Sequence, residues 1–185
     1  HDPTYWVALS PGEDPRWLVV MLVEEPKHAA LLIRTQDRQE METRYLMEGT
    51  SNALCAAMLD EERLVVGTAG QGLWSSDDVG DSFEVHTDIP PDATVLQVLA
   101  SPEILDSGLA LAVGTVPGDM GQAVGTIWRS EDQGDSWEAV LELEGEPLMD
   151  LSLAPDWPQT GRAVAASASG RVFVSVDRGL AWVRS

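Results

Sequence analysis

The stretch that decides the fold is GTIWRSEDQGDSWEAV, residues 125–140, in which one apolar run ends, a polar and acidic cluster follows, and a second run begins at a tryptophan. Its central octet, SEDQGDSW at residues 130–137, has two counterparts in the chain. They are SDDVGDSF at residues 76–83 and SVDRGLAW at residues 175–182. A motif that recurs in this way indicates a repeated architectural unit.

The octet can be explained as a turn that needs no ligand. Asp132 can accept hydrogen bonds from backbone N–H groups two or more residues further on, and Ser130 and Ser136 can bond locally. Gly134 supplies a φ angle that few other residues tolerate. Trp137 would then pack the turn onto a sheet.

The turns divide the chain into four repeats. Their anchoring acids are Asp37, Asp78, Asp132 and Asp177. The spacings of 41, 54 and 45 residues lie near the length of a four-stranded propeller blade. We therefore predict one domain over residues 1–185, with repeats at about 4–48, 53–89, 94–144 and 148–185.

Each repeat contains four short runs with strand character. We predict strands near residues 4–10, 17–23, 29–35, 42–47, 53–59, 62–68, 71–76, 82–87, 94–101, 108–115, 125–130, 136–142, 148–154, 161–167, 171–176 and 181–184. Runs such as LALAV and LVVML are apolar on both faces, which is typical of sheets packed between neighbouring sheets. No segment keeps helical spacing for three turns, so the sequence predicts an all-β fold.

These octets resemble the Asp-box, or BNR repeat, of sialidase-like, sortilin-like, xyloglucan hydrolase and photosystem II assembly factor-like proteins. The matching residues are Ser76, Asp78, Gly80, Ser82 and Phe83; Ser130, Asp132, Gly134, Ser136 and Trp137; and Ser175, Asp177, Gly179 and Trp182. Ala181 replaces the second hydroxyl of the third box, and the first repeat keeps only Thr35 and Asp37. The resemblance implies a β-propeller in which the box joins the third and outer strands of each blade, on the face away from the usual active site. With the four repeats, this predicts four four-stranded antiparallel blades with Asp-box turns.

A calcium loop is the alternative explanation of these turns, since oxygen ligands at alternate positions suit that ion. The glycine spacing differs from that of an EF-hand, and no glutamate closes the loop. We therefore expect no metal and no cofactor.

Charge and composition exclude several classes of partner. The chain has 185 residues, a formal charge of -20 and one cysteine, Cys55. Nucleic acids and anionic membranes repel such a chain. No apolar run approaches 18 residues and no signal peptide is recognisable, so we expect a soluble chain and assign no compartment. Cys55, in the run ALCAAML, is expected to be a small buried side chain.

A sialidase-like hydrolase would need arginines from several blades and a Tyr–Glu pair. The chain offers only Tyr5 and Tyr45, and four arginines crowd into the first repeat: Arg16, Arg34, Arg38 and Arg44. We therefore assign no catalytic residues. A sugar-stacking role is less favoured than packing for the tryptophans in or beside the boxes, which are Trp74, Trp128, Trp137 and Trp182.

A binding surface, if present, is expected on the face opposite the boxes. The loops between second and third strands and those between repeats meet there. Their acids form the candidate binding rim: Glu24, Glu25, Asp92, Asp119 and Glu144. An acidic rim favours a cation or a basic partner, whereas the simpler interpretation is a solvated loop face.

The favoured hypothesis is a non-enzymatic module that presents a surface to a protein or glycan partner. The alternative is a fragment of a sialidase-like or xyloglucanase-like glycoside hydrolase whose catalytic residues lie outside this chain. Apolar runs in the first and last repeats predict that both terminal faces are covered, either by self-closure of a monomer or by a homodimer that completes a ring.

Overall fold

The computed structural model describes residues 53–185 in full, and before them Pro11 and the backbone of four strands. The chain forms four antiparallel sheets of four strands each. Within each sheet the strands follow chain order and pair with their neighbours. The fold is therefore all-β, with antiparallel four-stranded sheets as its unit.

The strands lie close to their predicted positions. The first sheet contains β1 (Tyr5–Leu9), β2 (Trp17–Leu22), β3 (Ala30–Thr35) and β4 (Met41–Tyr45). The second contains β5 (Ala53–Met58), β6 (Leu64–Thr68), β7 (Leu73–Ser76) and β8 (Glu84–Val85). The third contains β9 (Thr94–Ala100), β10 (Ala110–Pro117), β11 (Ala123–Ser130) and β12 (Glu138–Glu144). The fourth contains β13 (Leu148–Leu153), β14 (Ala163–Ser167), β15 (Val172–Ser175) and β16 (Val183–Arg184).

The structure departs from a purely all-β prediction in the proline-bearing loops. Two single-turn helices occur there, α1 (Ile104–Ser107) and α2 (Trp157–Thr160), each ending at a left-handed glycine. A single turn is too short to show helical periodicity in the sequence. Each helix buries one apolar side chain, Ile104 or Trp157, beneath the loop.

The core consists of apolar layers between successive sheets. One layer joins the second and third sheets and includes Leu59, Val65 and Trp128. Another joins the third and fourth sheets and includes Leu111 and Phe173. Each sheet thus has a leading face, turned towards the preceding sheet, and a trailing face, turned towards the following one. This stacking explains the runs that are apolar on both faces.

In the part of the chain that the structure describes, no helix has the length and apolar character needed to cross a membrane.

Candidate functional site

The octet at residues 130–137 forms a closed hydrogen-bonded turn between β11 and β12. Ser130 Oγ donates to Asp132 Oδ1 over 2.8 Å and accepts from the Gly134 N–H over 2.8 Å. The Ser136 N–H donates to Asp132 Oδ1 over 2.9 Å, and Ser136 Oγ donates to Oδ2 over 2.5 Å. Both carboxylate oxygens of Asp132 therefore accept hydrogen bonds from within its own turn.

The same bonds recur in the other two described turns. Ser76 Oγ and the Ser82 N–H donate to Asp78 Oδ1 over 2.7 and 2.8 Å, and Ser82 Oγ donates to Oδ2 over 2.6 Å. In the last turn Asp177 accepts from Ser175 Oγ over 2.7 Å and from the Ala181 N–H over 3.0 Å. Alanine at 181 removes the hydroxyl donor. The predicted Asp37 lies outside the described residues.

These donors hold the aspartates in their ionised form. The hydrogen bonds of Ser82 are the main cause that lowers the pKa of Asp78. Burial would by itself raise the pKa of Asp132, but the bonds from Ser136 and Ser130 outweigh it and lower the pKa. The Ala181 N–H is the main cause that lowers the pKa of Asp177.

The acidic turns predict a loss of stability in acid. Because the folded pKa lies below the unfolded value, about 3.9 for aspartate, the stabilisation is complete above that value and is lost as the pH falls through the folded pKa. We expect the urea midpoint to fall on acidification below about pH 4. A variant with asparagine at 78, 132 and 177 should show a shallower acid slope, and an equal slope would contradict this role.

A left-handed backbone residue docks each turn onto its own sheet. Val79, Gln133 and Arg178, between the aspartate and the glycine, have φ of 57°, 57° and 61°. Their N–H groups bond to the loop that joins the first two strands of the sheet. The bonds are Val79 N to Glu62 O, 3.0 Å; Gln133 N to Gly108 O, 2.8 Å; and Arg178 N to Gly161 O, 2.9 Å.

The turns also pack against the preceding sheet. A Cβ placed on Gly134 would lie 2.5 Å from Leu59 Cδ1, and one placed on Gly179 would lie 2.8 Å from Leu111 Cδ2. The glycines therefore permit close contact between sheets, in addition to their positive φ.

Arginines of the preceding sheet reinforce these contacts. Arg63 donates to the carbonyl of Gln133 over 3.3 Å and pairs with Asp77 over 2.7 Å and with Asp135. Arg129 likewise donates to the carbonyl of Arg178 over 2.9 Å. These arginines join successive turns, so in the described part of the chain they hold sheets together.

The opposite end of the third sheet carries a shallow depression of about 170 Å³. Its polar lining includes Asp92, Thr115 and Gln122, from the loop before β9 and the loop between β10 and β11. The predicted rim residue Asp92 therefore lies at a concavity formed by two of the expected loops.

Two other predicted rim residues lie on the same end of the sheet. Asp119 is exposed in the short 3-10 turn Asp119–Gly121, within the loop between β10 and β11. Glu144 is exposed at the end of β12, opposite Val124 at the start of β11. The remaining rim predictions, Glu24 and Glu25, fall outside the described residues.

Sequence reasoning missed two features of this end. Met120, at the tip of the loop, is 95% exposed and has a φ of 57°. Glu146, in the loop before β13, is buried, accepts from Ser169 and pairs with Arg171. Hydrogen bonds from Ser167 and Ser169 and the charge of Arg171 lower the pKa of Glu146. The one signal in the sequence was the position of Glu146 between Gly145 and Pro147, two residue types that are common in loops.

Within residues 53–185 and the described strands before them, no three histidine, cysteine or acidic side chains come together in a group that could hold a metal ion.

Comparisons with known proteins bear mainly on the fold. No protein-family model matches the chain. An uncharacterized membrane glycoprotein of Saccharomyces cerevisiae is 38% identical over 56 residues, which are 30% of this chain and 13% of that protein. The chain thus spans only a small part of this relative.

Solved structures match over nearly the whole chain. A structure described as YCF48 bound to D1 peptide has 18% identity and a TM-score of 0.56, covering 95% of this chain and 52% of that one. The GH74 xyloglucanase of Xanthomonas campestris gives 14% identity and a TM-score of 0.49, over 96% and 37% of the two chains. YCF48 from Cyanidioschyzon merolae gives 12% identity and a TM-score of 0.40, over 96% and 70%. The chain spans about half of the YCF48 chain in the peptide-bound structure, and that similarity shows a β-propeller fold.

Proposed function

We propose that this chain is a non-enzymatic β-propeller module of four blades joined by Asp-box turns, and that it binds a protein partner through the end opposite those turns. The observation that carries the proposal is the division of the acidic side chains. Asp78 and Asp132 use both carboxylate oxygens in hydrogen bonds within their own turns. At the opposite end of the third sheet, Asp92 lines the depression, and Asp119 and Glu144 are exposed.

The Asp-box assignment is supported by the three turns themselves. In each, a serine hydroxyl bridges the aspartate and the glycine N–H, as at Ser130, and a following aromatic residue packs against the sheets. Phe83 and Trp137 are 7% and 6% exposed. This arrangement stabilises the turn, and at Asp78 and Asp132 both carboxylate oxygens accept hydrogen bonds from within it.

The chemistry of the opposite end favours a basic segment with an apolar side chain. Asp119 and Glu144 supply negative charge, and the chain as a whole carries a charge of -20, which attracts basic partners over long distances. Met120, which follows Asp119 and is 95% exposed, adds an adaptable apolar contact. A peptide partner agrees with the peptide-bound YCF48 structure, whose fold this chain shares.

A glycan partner is less well supported. Sugar binding commonly uses exposed aromatic faces, but Trp128, Trp137 and Trp157 are buried in the layers between sheets. Trp74 and Trp182 are half-buried, and their indole N–H groups bond to the carbonyls of Gln71 and Gly179. The described tryptophans therefore serve packing.

The binding proposal can be tested with paired substitutions on one strand. Glu144 and Glu138 lie at opposite ends of β12 and are both exposed. We expect Glu144→Gln to weaken binding of a Lys/Leu peptide about twofold to fivefold, as for a rim charge pair, and added salt to weaken it further. Glu138→Gln, at the turn end, is the matched control. Fluorescence anisotropy with the Lys/Leu peptide and its Glu/Leu counterpart would measure both effects.

Equal weakening by the two substitutions, or equal affinity for the basic and acidic peptides, would contradict the assignment of this end. Replacement of Met120 by serine separates the apolar contribution from the charge, because it leaves the net charge unchanged.

The non-enzymatic part of the proposal has its own test. We expect no hydrolysis of sialyl or glucosyl aryl glycosides above a buffer blank. Release of the aryl group that disappears in a Tyr5→Phe variant would favour the glycoside hydrolase alternative instead.

A further inference from the structure

The outer strand of the third sheet, β12, is a long open edge. It has seven residues, whereas the outer strands of the second and fourth sheets, β8 and β16, have two each. β12 pairs with β11 on one side, and no described strand pairs with its other side. Alternate residues of such a strand direct their backbone N–H and C=O groups away from the sheet, where they can pair with a further strand.

The chain itself uses few of these backbone groups. Outside the sheet ladders, the described residues make one backbone bond to this strand, from the Glu146 N–H to the Leu143 carbonyl over 3.3 Å. Val140 forms a bulge, because the register with β11 passes from Ala139 to Leu141. A bulge interrupts regular pairing. The part of the edge that suits an added strand is therefore residues 141–144.

The two faces of this segment differ in their chemistry. Leu141 pairs with Ile127 of β11, which belongs to the apolar layer against the fourth sheet, so Leu141 and Leu143 lie on the trailing face. Glu142 and Glu144 alternate with them and lie on the leading face. The leucines are half-buried and the glutamates are exposed. An added strand would therefore meet acids on one face and apolar side chains on the other.

The charge of this segment selects the kind of strand that can pair with it. Within the described residues, neither Glu142 nor Glu144 forms an ion pair. Arg129, on the neighbouring strand, pairs with Glu131 instead. The same edge of a second copy would bring glutamates close to glutamates, which is unfavourable, whereas lysine or arginine beside them is favourable. Basic residues that alternate with apolar ones match both faces.

We propose that residues 141–144 of β12 pair with an extended segment of the protein partner in which basic and apolar residues alternate. This inference rests on the proposed function and specifies how the partner lies at that end of the third sheet. Gly145 follows the strand, and a Cβ there would lie 2.9 Å from Gln122 Oε1. Because Gln122 lines the depression, one bound segment can contact both the edge and the depression.

N-methylation of a peptide tests for an added strand without altering the chain. In an extended peptide of alternating lysine and leucine, the N–H groups of the lysines point to one side and those of the leucines to the other. Methylation of one set removes the donors that face β12, and methylation of the other set leaves them. We expect one methylated peptide to bind the full chain at least about fivefold more weakly than the unmodified peptide, and the other to bind within about twofold of it. Fluorescence anisotropy measures all three affinities.

Glu142→Gln is the corresponding substitution in the chain. We expect it to weaken binding of the alternating peptide about twofold to fivefold, because it removes one exposed charge pair from the leading face. Glu138→Gln is the control, since Glu138 is exposed on the same strand but lies beyond the bulge at Val140. The control should leave the affinity unchanged.

Three results would overturn the inference. If the two methylated peptides bind equally, the peptide is not an added strand, although a dependence on Glu144 would still support the proposed function. If a peptide of the same composition, with its lysines and leucines in two blocks, binds as tightly as the alternating peptide, the match to the two faces is wrong. If the alternating peptide does not bind at all, both the proposed function and this inference fail.

Discussion

We expect Gly108→Ala to lower the free energy of unfolding by roughly 2–5 kcal/mol, the sum of a left-handed backbone penalty and an overpacking penalty. Gly108 ends α1 with a φ of 68°, and a Cβ there would lie 2.3 Å from the carbonyl oxygen of Glu131. The obstacle is backbone of the acidic turn, which cannot move without losing the bond from the Gln133 N–H to the Gly108 carbonyl. Urea unfolding followed by tryptophan fluorescence measures the change.

Gly70→Ala is the control for the backbone conformation. Gly70 has a φ of 73°, but nothing lies within 4 Å of the position of its Cβ. This substitution should cost only the left-handed penalty of about 1–2 kcal/mol. If the two variants are equally destabilised, the close approach between α1 and the turn contributes nothing to the destabilisation of Gly108→Ala.

The second large effect is expected at Asp132. Replacement by alanine leaves the Ser136 N–H and the Ser130 and Ser136 hydroxyls without their acceptor. We expect a loss of about 1–3 kcal/mol in unfolding free energy. Peptide binding by the folded variant should persist, because the turn and the depression lie at opposite ends of the third sheet. An unchanged midpoint in urea would exclude the structural role.

Asp177→Ala provides the comparison within the same chain. Asp177 accepts from Ser175 and from the Ala181 N–H but has no second hydroxyl partner. Its replacement should therefore cost less than that of Asp132, by roughly 0.5–1.5 kcal/mol for one hydrogen bond. A larger loss of unfolding free energy at Asp177 would show that the hydroxyl of Ser136 contributes little to the stability of its turn.

The local parts of the fold could be predicted because their signals are local. The serine, aspartate and glycine of each octet lie within five residues of one another, and their side chains can bond only to nearby backbone. Strand positions followed from apolar runs bounded by such turns. The strands β8 (Glu84–Val85) and β16 (Val183–Arg184) are shorter than the predicted 82–87 and 181–184. Each lies at the edge of its sheet and pairs with one neighbour.

Other features arise from contacts that the sequence does not mark. The left-handed conformation of Val79 and Gln133 could not be predicted from residue propensities, because a β-branched or long side chain disfavours it. The structure imposes it through bonds to loops 17 and 25 residues away. The position of Val79 in the sequence could not have indicated that conformation.

The candidate site was predictable in outline and not in detail. The order of the strands places Asp92 and the loop that contains Asp119 at the same end of the third sheet. Counting strands was therefore enough to predict that these residues lie at one end. The pairing of Glu146 with Arg171 joins residues 25 apart in two loops. Apart from the position of Glu146 between Gly145 and Pro147, nothing in either segment distinguishes these two residues from ordinary surface charges.

Because Cys55 is buried between two sheets, the reactivity of its thiol reports the separation of those sheets. Its side chain is 0% exposed between the second and third sheets, and burial raises its pKa to about 12. The raised pKa keeps the sulfur as the unreactive thiol at neutral pH, and full burial shields it from reagents while the sheets are in contact. Alkylation of this one thiol therefore requires the two sheets to part. Where reclosing is faster than alkylation, the observed rate divided by the rate for an exposed thiol is the equilibrium constant of opening, and it gives the free energy of that opening.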